Sequence, residues 1–468
     1  MKTASADVNE IRSRLAKIGQ EHVLRYWEEL SEAGRAKLLG QLAAQDMGVL
    51  ALLAEEYVRR KPVVELPSEI LPPSVYKRLA PPGREGEYER AKARGLELVR
   101  SGKVAAFLVA GGQGTRLGYD GPKGEFPVTP VKNKPLFQVF AEQLLFWGRK
   151  VGKTVPWYIM TSDINDAATR AFFERHGYFG YPKSDVVFFQ QGMIPAFGFD
   201  GRLLLSAKDS LALAADGHGG SLTALRRSGA LDDLKARGVE HLSYFQVDNP
   251  LVHCIDPLFL GLHDVTGSEM SSKTIAKAHP LEKVGNFCRV GGKLQVIEYS
   301  DLPEALARKT NADGSLVFNY GSIAIHALRV SFIDRLTASG SVSLPWHRAE
   351  KKVACLDESG NLVKPETPNA VKLEQFVFDA IPLAERPMVL ETERGEEFSP
   401  VKNAEGADSP ETSRRDQSAR HARWLRAAGV EVPEGTVVEI SPLFAATAEE
   451  LAAKRPGPVA GSRVYLGD

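Results

Sequence analysis

Hydrophobic positions in the first sixty residues recur at the spacing of an amphipathic helix. Val8, Ile11 and Leu15 fall on one helical face, and the segment RAKLLGQLAAQDMGVLALLAEEYVRR continues the pattern. The pattern therefore predicts helices over residues 1–60. Six prolines then fall between Pro62 and Pro82. Because proline lacks a backbone donor and interrupts a helix, we expect an extended connector there.

From about residue 85 the pattern changes to an alternation of helices and strands. The helical segment EYERAKARGLELVRSG precedes the apolar run KVAAFLVA, and the helical segment KPLFQVFAEQLLFWGRK precedes the run VPWYIMTS. The runs DVVFF and HLSYFQVD are two further strand candidates. Strands that alternate with helices are typical of a mainly parallel sheet covered by helices. The sequence therefore predicts an α/β fold.

Beyond residue 280 the pattern becomes more mixed. The closely spaced strand candidates GNFCRV and LQVIEYS predict an antiparallel portion, and the segment SRRDQSARHARWLRAAG near the C-terminus predicts a helix between short strands. A chain of 468 residues exceeds one ordinary hydrophobic core. We predict a helical N-terminal region with a proline-rich connector (1–95), a large α/β domain (96–385) and a small mixed C-terminal domain (386–468).

Composition excludes several classes of protein. The 59 basic residues balance the 59 acidic ones, so the overall charge gives no case for a nucleic-acid or membrane partner. Cys254, Cys288 and Cys355 are scattered, which is typical of buried thiols in a reducing compartment rather than of disulfides or a zinc site. The chain shows no signal-peptide core and no apolar run of ~18 residues. We expect a cytoplasmic protein.

The stretch FLVAGGQGTRLGYDGPKGEFP places a glycine-rich loop directly after an apolar strand. Such a loop is the usual ligand crevice of an open α/β sheet, and glycines let backbone N–H groups approach a phosphate closely. The spacing fits neither a Walker loop, because Tyr119 follows Gly118, nor the dinucleotide fingerprint. Arg116 and Lys123 could neutralise phosphate charge. A structural turn that carries two solvated cations is the alternative interpretation.

Several stretches together resemble a known family. LVAGGQGTRLG and PKGEFPV resemble the signature of the eukaryotic-type UDP-sugar pyrophosphorylases, and PLFQVFAEQ, FFQQGMIPAF, YFQVDNPLV, QVIEYSDLP and EFSPVKNAEG resemble the UDP-N-acetylhexosamine branch in the same order. The resemblance implies a Rossmann-like, mainly parallel sheet of the GT-A-like nucleotidyltransferase type, with residues 96–385 as the catalytic domain. It also implies an enzyme that joins UTP to a sugar 1-phosphate, with Mg²⁺ as the cofactor, and releases pyrophosphate.

The resemblance carries the family's nucleotide-binding roles onto matching positions. It implies that Gln191 reads the uracil edge and that Gly217 lies close to the base. It further implies that three cations bind phosphates and that loop glycines hold the nucleotide through their backbone. The cations are Arg116, Lys123 and Lys402, and the glycines are Gly111, Gly112 and Gly114.

The resemblance also implies that Asp248 binds Mg²⁺ and that Glu298 binds sugar hydroxyls. Two positions of the sugar pocket depart from the hexosamine pattern, because His218 and Ser322 stand where that branch carries asparagine. The sequence DGHGG around His218 is more similar to the UDP-glucose and broad-range UDP-sugar branches. N-acetylglucosamine 1-phosphate is the expected acceptor, with glucose 1-phosphate or a broad sugar range as the alternative.

Each candidate residue also has an ordinary structural interpretation. Asp248 could cap a helix, Gln191 could be a loop amide and His218 could be a turn residue between glycines. Glu298 and Lys402 could be solvated surface charges. Two other functions stay open on the residues alone. A nucleotide-sugar dehydrogenase or epimerase is disfavoured by the glycine spacing. A non-catalytic UDP-sugar-binding relative is disfavoured because it would not need all four of the charged residues Arg116, Lys123, Asp248 and Lys402.

Overall fold

The computed structural model describes residues 8–62 and 69–467. The chain divides into two compact units, and each is assembled from three stretches of sequence. The first unit comprises Met1–Leu66, Gly192–Gly220 and Leu344–Val377; the second comprises Pro67–Gln191, Ser221–Ser343 and Phe378–Asp468. Residues 1–7 of the predicted helical region and residues 63–68 of the predicted connector lie outside the described residues. The division into regions 1–95, 96–385 and 386–468 stays a prediction.

The helices include the four predicted helical segments, at the N-terminus, near residues 85–100, near residues 136–151 and near residue 420, together with helices that were not predicted. In the described residues they are α1 (Val8–Lys17), α2 (Glu32–Ala43), α3 (Met47–Leu53), α4 (Glu85–Arg100), α5 (Leu136–Val151), α6 (Asp166–Arg175), α7 (Gly220–Arg227), α8 (Ala230–Ala236), α9 (Pro257–Val265), α10 (Glu304–Ala307), α11 (Val330–Leu336), α12 (Arg394–Glu397), α13 (Pro410–Ala427) and α14 (Ala448–Ala453). Short 3₁₀ turns cover Thr115–Leu117 and Lys123–Glu125 in the glycine-rich loop.

The strands of the described residues are β1 (Ile70–Leu71), β2 (Val104–Val109), β3 (Trp157–Thr161), β4 (Val186–Gln190), β5 (Met193–Pro195), β6 (Phe197–Gly198), β7 (Leu205–Ala207), β8 (Ser210–Leu211), β9 (Leu213–Ala215), β10 (His241–Gln246), β11 (Met270–Ile275), β12 (Asn286–Val290), β13 (Lys293–Ile297), β14 (Gly321–Arg329), β15 (His347–Lys351), β16 (Cys355–Leu356), β17 (Leu362–Val363), β18 (Ala370–Glu374), β19 (Met388–Glu391), β20 (Val437–Ile440) and β21 (Arg463–Leu466).

The first unit packs the N-terminal helices against short strands that come from later in the chain. Leu15 of α1 and Leu38 of α2 are fully buried in one cluster with Phe197 of β6 and Leu373 of β18. Strands β15, β18 and β6 form an antiparallel sheet in this unit. The N-terminal helices thus bury their apolar faces against residues that lie more than a hundred positions away in the sequence.

The second unit is built around a mixed sheet. In the described residues this sheet has ten strands, with β1-β12-β14-β10-β2-β3-β4 as its main path. Strands β10, β2, β3 and β4 are parallel neighbours, whereas β12, β13 and β14 pair antiparallel. Strand β3 is fully buried along its length, which explains why the parallel strands read as continuous apolar runs. The predicted α/β class is confirmed.

The antiparallel portion predicted beyond residue 280 is also confirmed by the pairing of β12 with β13. The predicted C-terminal helix is α13, and the strand candidates beside it form the parallel pair β20 and β21. None of the helices in residues 8–62 and 69–467 combines the length and the apolar composition needed to cross a membrane.

Candidate active site

Four parallel strands of the second unit end at one edge of the sheet, and a polar or glycine residue of interest follows each of them. Gly111 follows β2, Ser162 follows β3, Gln191 follows β4 and Asp248 follows β10. Because parallel strands present their carboxyl ends on the same side, loops from distant parts of the sequence converge there. This edge is the usual ligand crevice of an open α/β sheet.

The glycine-rich loop folds back on itself at this edge. The Gly114 N–H donates to the Gly121 carbonyl at 2.8 Å, and the Lys123 N–H donates to the Gly112 carbonyl at 3.1 Å. Gly118, in the left-handed region at φ 69°, ends the 3₁₀ turn that carries Arg116. The folded loop therefore brings the main chain of Lys123 beside Gly112, although they are separated in sequence.

The side chain of Gln191 packs closely against Gly111. A Cβ on Gly111 would lie 2.4 Å from Oε1 of Gln191, whereas a Cβ on Gly112 would meet no atom within 4 Å. The Gln191 N–H donates to the Thr161 carbonyl at 2.9 Å, which fixes the main chain of Gln191 at the end of β4. The structure therefore joins two predicted nucleotide-binding positions, the glycine-rich loop and Gln191.

Three successive backbone N–H groups of the loop are unpaired in the described residues. The N–H groups of Gly111, Gly112 and Gln113 donate no hydrogen bond to any group in the described part of the chain, although Ala110 and Gly114 on either side of them are paired. Successive backbone N–H groups without a partner can bind an anion. This arrangement fits the phosphate oxygens of a nucleotide.

Lys123 lies in a group of charged residues. Burial is the largest effect on the pKa of its ammonium group and lowers it. The carboxylate of Asp248 raises this pKa, whereas the cations Arg116 and Lys402 lower it further. The pKa of Lys123 therefore lies below its ordinary value. The Nζ atom of Lys123 is 3.4 Å from the Val401 carbonyl oxygen. A half-buried lysine with other cations around it is stabilised in its charged form by an anion, and the site therefore favours phosphate binding.

The segment that carries Lys402 is bonded to the end of β10. The Val401 N–H donates to the Asp248 carbonyl at 2.8 Å. The buried side chain of Asn249 donates to the Glu397 carbonyl at 2.7 Å and accepts from the Ser399 N–H at 3.2 Å. These bonds hold the main chain before Lys402 against the main chain of Asp248.

A buried ion cluster anchors the start of the same segment. The fully buried Nζ of Lys273 lies 2.6 Å from carboxylate oxygens of Asp256 and Glu397. Burial opposes the charges, but the two carboxylates hold the pKa of Lys273 above its ordinary value, and the Lys273 charge lowers the pKa of Asp256 to about 2. The Thr392 hydroxyl also donates to Glu397. Removing one member would leave a buried charge uncompensated.

Lys402 itself is about half exposed. Its Nζ forms an ion pair with Asp408 at 3.6 Å, and its side chain is 41% exposed. The Lys402 N–H donates to the Asp408 carbonyl at 2.7 Å, so the turn between them orients the lysine. Exposed ion pairs of this length contribute little to stability, and the ammonium group can exchange Asp408 for a substrate phosphate.

Glu298 and Ser322 meet around a third residue, Gly285. A Cβ on Gly285 would lie 3.3 Å from Oε1 of Glu298 and 3.8 Å from the Cβ of Ser322, and the Ser322 N–H donates to the Gly285 carbonyl at 2.8 Å. Ser322 lies at the start of β14, which is antiparallel to β10. Glu298 and Ser322 therefore lie at the same edge of the sheet as Asp248.

Gly217 and His218 belong to the first unit. Gly217 has φ 85°, and a Cβ there would lie 2.4 Å from the Gln375 carbonyl oxygen, so this position requires glycine. The Nδ1 atom of His218 accepts the Val377 N–H at 3.1 Å, and the ring stacks on Phe376 at 5.1 Å between centroids. Burial, with a smaller contribution from the charge of His347, lowers the pKa of His218 to about 4. His218 is therefore neutral near pH 7 with its proton on Nε2.

Asp248 offers an unpaired carboxylate for a metal ion at this edge. In the described residues Asp248 makes no hydrogen bond or ion pair through its carboxylate, and no group of three or more histidine, cysteine or acidic residues converges as a metal-binding set. Mg²⁺ commonly takes one or two protein carboxylates and completes its shell with phosphate and water. The residues present fit an ion of that kind bound together with a substrate.

In the second unit the structure places Gln191 beside Gly111 and groups Lys123 with Arg116, Asp248 and Lys402. Glu298 and Ser322 both lie beside Gly285. Ser162, Asn165 and Asn249 were not predicted from the sequence, although they form hydrogen bonds in this site. Their position directly after β3 and β10 was the available signal, because side chains after parallel strands face the crevice.

Known proteins that are similar to this chain belong to one family. The family described as UTP--glucose-1-phosphate uridylyltransferase matches residues 75–408. A UDP-N-acetylhexosamine pyrophosphorylase-like protein 1 of Xenopus tropicalis is 40% identical, with 92% of this chain and 87% of that protein covered. A UDP-N-acetylglucosamine pyrophosphorylase of Saccharomyces cerevisiae is 36% identical, with 92% and 94% covered.

The solved structures include a related enzyme of similar length. The crystal structure of a uridine diphosphate N-acetylglucosamine pyrophosphorylase from Trypanosoma brucei, in complex with an inhibitor, superposes with a TM-score of 0.85 at 27% identity. The superposition covers 100% of this chain and 99% of that chain. The similarity therefore extends over both compact units rather than over the glycine-rich loop alone.

Proposed function

This chain belongs to the UTP–glucose-1-phosphate uridylyltransferase family, and from that premise we propose that it transfers the uridylyl group of UTP to N-acetylglucosamine 1-phosphate. The products are UDP-N-acetylglucosamine and pyrophosphate. The observation that carries the proposal is the convergence of Arg116, Lys123 and Lys402 with Asp248 beside the unpaired N–H groups of the glycine-rich loop.

The reaction needs charge neutralisation more than proton transfer. An oxygen of the sugar phosphate attacks the α-phosphorus of UTP, and pyrophosphate leaves on the opposite side. Both reactants are anions and repel each other, so Arg116, Lys123 and Lys402 lower the barrier by binding phosphate oxygens. The attacking phosphate is already ionised near neutral pH, and no general base is required. Holding the two reactants in line supplies the remaining acceleration.

The nucleotide is held by the elements around the glycine-rich loop. The N–H groups of Gly111 and Gly112 donate to phosphate oxygens, and the amide of Gln191 pairs with the uracil edge. The family resemblance assigns the contact with the base to Gly217 and the remaining backbone contact to Gly114. An amide that pairs with uracil discriminates against cytosine, because the exocyclic amine reverses one donor–acceptor position.

Asp248 is the residue that would hold Mg²⁺ through its carboxylate. A bound Mg²⁺ supplies charge neutralisation on the phosphates and holds them in one orientation. The main-chain bond from Val401 keeps Asp248 and the Lys402 segment together, so the anionic and cationic contacts to the substrates have a fixed separation. No second protein carboxylate is required for this role.

The choice of sugar is supported by the relatives, whose names specify N-acetylhexosamine or N-acetylglucosamine. The residues assigned to the sugar are Glu298, Ser322 and His218. The neutral imidazole of His218 and the hydroxyl of Ser322 present different donors and acceptors from the asparagine amides of the hexosamine pattern. This difference is the observation that favours glucose 1-phosphate as the second candidate acceptor.

The test is a parallel assay of four acceptors. Purified protein with UTP and Mg²⁺ is supplied with the 1-phosphates of N-acetylglucosamine, N-acetylgalactosamine, glucose and galactose, and pyrophosphate release is measured. We expect the highest kcat/KM with N-acetylglucosamine 1-phosphate. A kcat/KM for glucose 1-phosphate about ten times higher would transfer the protein to the UDP-glucose branch. Binding of UTP without pyrophosphate release from any acceptor would indicate a non-catalytic relative.

A further inference from the structure

Three successive carbonyl groups of the glycine-rich loop accept hydrogen bonds from the turn that follows β3. The Asn165 Nδ2 group donates to the Ala110 carbonyl at 2.9 Å and to the Gly112 carbonyl at 3.2 Å. The Ser162 hydroxyl donates to the Gly111 carbonyl at 2.9 Å. One short turn therefore holds the carbonyl side of this part of the loop.

This arrangement determines where the N–H groups of the loop point. A trans peptide is planar and its N–H is directed opposite to its C=O, and the described residues contain no cis peptide bond. The carbonyls of Ala110, Gly111 and Gly112 point toward Asn165 and Ser162. The N–H groups of the next residues, Gly111, Gly112 and Gln113, must then point away from that turn.

The two side chains are built into the interior and their orientation is fixed. Asn165 is 0% exposed and Ser162 is 2% exposed. The Oδ1 atom of Asn165 accepts the Ser162 N–H at 2.8 Å. If the amide rotated by half a turn, its NH₂ group would face the Ser162 N–H and its oxygen would face the two loop carbonyls. Because such a rotation would break every bond of the amide, the amide stays in one orientation before any ligand binds.

We propose that Ser162 and Asn165 are positioning residues that pre-orient the N–H groups of the glycine-rich loop toward the phosphates of the nucleotide. Neither side chain contacts the substrate. They act by keeping the loop carbonyls, which repel phosphate oxygens, on the far side of the loop. The inference deepens the proposed uridylyl transfer and rests on it for the identity of the anion.

The main test compares affinities for UTP and uridine in the full-length protein with Asn165→Asp. This change keeps one oxygen as acceptor but directs a second oxygen at the Ala110 and Gly112 carbonyls. We expect the dissociation constant for UTP to rise by about tenfold or more at pH 8, while the uridine constant, measured by competition with UTP, changes less than about twofold. The UTP-to-uridine affinity ratio is therefore the readout.

The pH dependence of Asn165→Asp gives a second signature. A buried carboxyl group that faces carbonyl oxygens has a raised pKa. When that group is protonated it can again donate to the Ala110 carbonyl, so UTP affinity should recover as the pH is lowered toward 6. The wild-type protein should not show this gain over the same range. A loss of UTP affinity that is independent of pH would contradict the donor role.

Ser162→Ala provides a milder variant and Ser271→Ala its matched control. Ser271 is a fully buried serine of the same unit, bonded to His263 and Ser268 at the amino end of β11, away from the carboxyl edge. Thermal unfolding of both variants measures the structural cost. Ser162→Ala should lower UTP affinity and leave uridine affinity intact, whereas Ser271→Ala should change neither.

The outcomes separate the positioning role from the proposed reaction. Equal losses of UTP and uridine affinity, or folded variants with wild-type UTP affinity, would overturn the positioning role. Wild-type protein that binds UTP but releases no pyrophosphate would overturn the reaction and leave the affinity ratios as a valid test of the positioning role. Wild-type protein with no affinity for UTP would overturn both.

Discussion

The side-chain amide of Asn249 donates to the main-chain carbonyl of Glu397 at 2.7 Å across 148 residues of sequence. The same amide accepts the Ser399 N–H, and the following residues carry Lys402. Asn249 is the immediate neighbour of Asp248. The bond therefore connects the proposed metal-binding carboxylate to a proposed phosphate-binding cation through main chain and one buried amide.

We expect Asn249→Ala to lower kcat by roughly 10–100-fold, because the Lys402 segment loses its fixed distance from Asp248. The free energy of unfolding should fall by about 1–3 kcal/mol, since the Ser399 N–H loses its acceptor. Gln143→Ala is the control: Gln143 is a buried amide of the same unit that bridges the Val252 carbonyl and the Cys254 N–H. The free energy of unfolding of Gln143→Ala should fall to a similar extent, while its kcat should stay near the wild-type value.

Replacing Lys123 tests the phosphate role. Lys123→Ala should lower kcat by about 10²–10³-fold if the ammonium group follows charge on the departing pyrophosphate.

Because the pKa of Lys123 lies below its ordinary value of 10.5 in the folded protein, the wild-type side chain loses its charge earlier as the pH rises. Lys123→Arg keeps the charge, so its activity should persist further into the alkaline range. Steady-state kinetics from pH 7 to 10 measure both effects, and a Lys123→Ala protein with near wild-type kcat would exclude the role.

Gly111→Ala should displace Gln191, because the added Cβ would lie 2.4 Å from its Oε1 atom. We expect the preference for UTP over CTP to fall by roughly 5–100-fold, which corresponds to the cost of a mispaired buried polar edge. Gln191→Ala should have a similar effect, and the double variant should be little worse than either single one. Competing assays with UTP and CTP give the ratio, and additive losses would argue against a shared mechanism.

Asp248→Asn should raise the Mg²⁺ concentration needed for half-maximal activity and lower kcat. The amide keeps the size of the side chain but loses the charge that a hard cation requires. Titration of Mg²⁺ at saturating UTP measures the change. Because Asp248 is paired with no group through its carboxylate in the described residues, thermal stability should change little. An unchanged Mg²⁺ requirement would remove Asp248 from the metal site.

His218→Asn combined with Ser322→Asn should sharpen the preference for N-acetylglucosamine 1-phosphate over glucose 1-phosphate. The two amides restore the donor and acceptor pattern of the hexosamine branch. The ratio of the two kcat/KM values gives the result. An unchanged ratio would place sugar selection at other residues.

The amino-acid sequence by itself determined the fold class and pointed to two charged residues of the candidate site, Arg116 and Lys123. Apolar runs that alternate with amphipathic segments depend on local periodicity, and for this reason β2, β3, β4 and β10 could be located from the order of residues alone. The glycine-rich loop with Arg116 and Lys123 was recognisable because its residue types and spacing are contiguous in the chain. Residues that lie far from this loop in the sequence, such as Gln191 and Lys402, were assigned to the site only through the family resemblance.

Tertiary structure alone decided which groups meet. Pairing between Asn249 and Glu397, the contact of Gln191 with Gly111, and the hydrogen bonds from Asn165 to the loop carbonyls join residues from different strands and loops. No periodicity encodes such contacts, because they depend on strand order in the sheet and on the direction of each peptide group. The lowered pKa of Lys123 has the same origin, since burial and neighbouring charges exist only once the chain has folded.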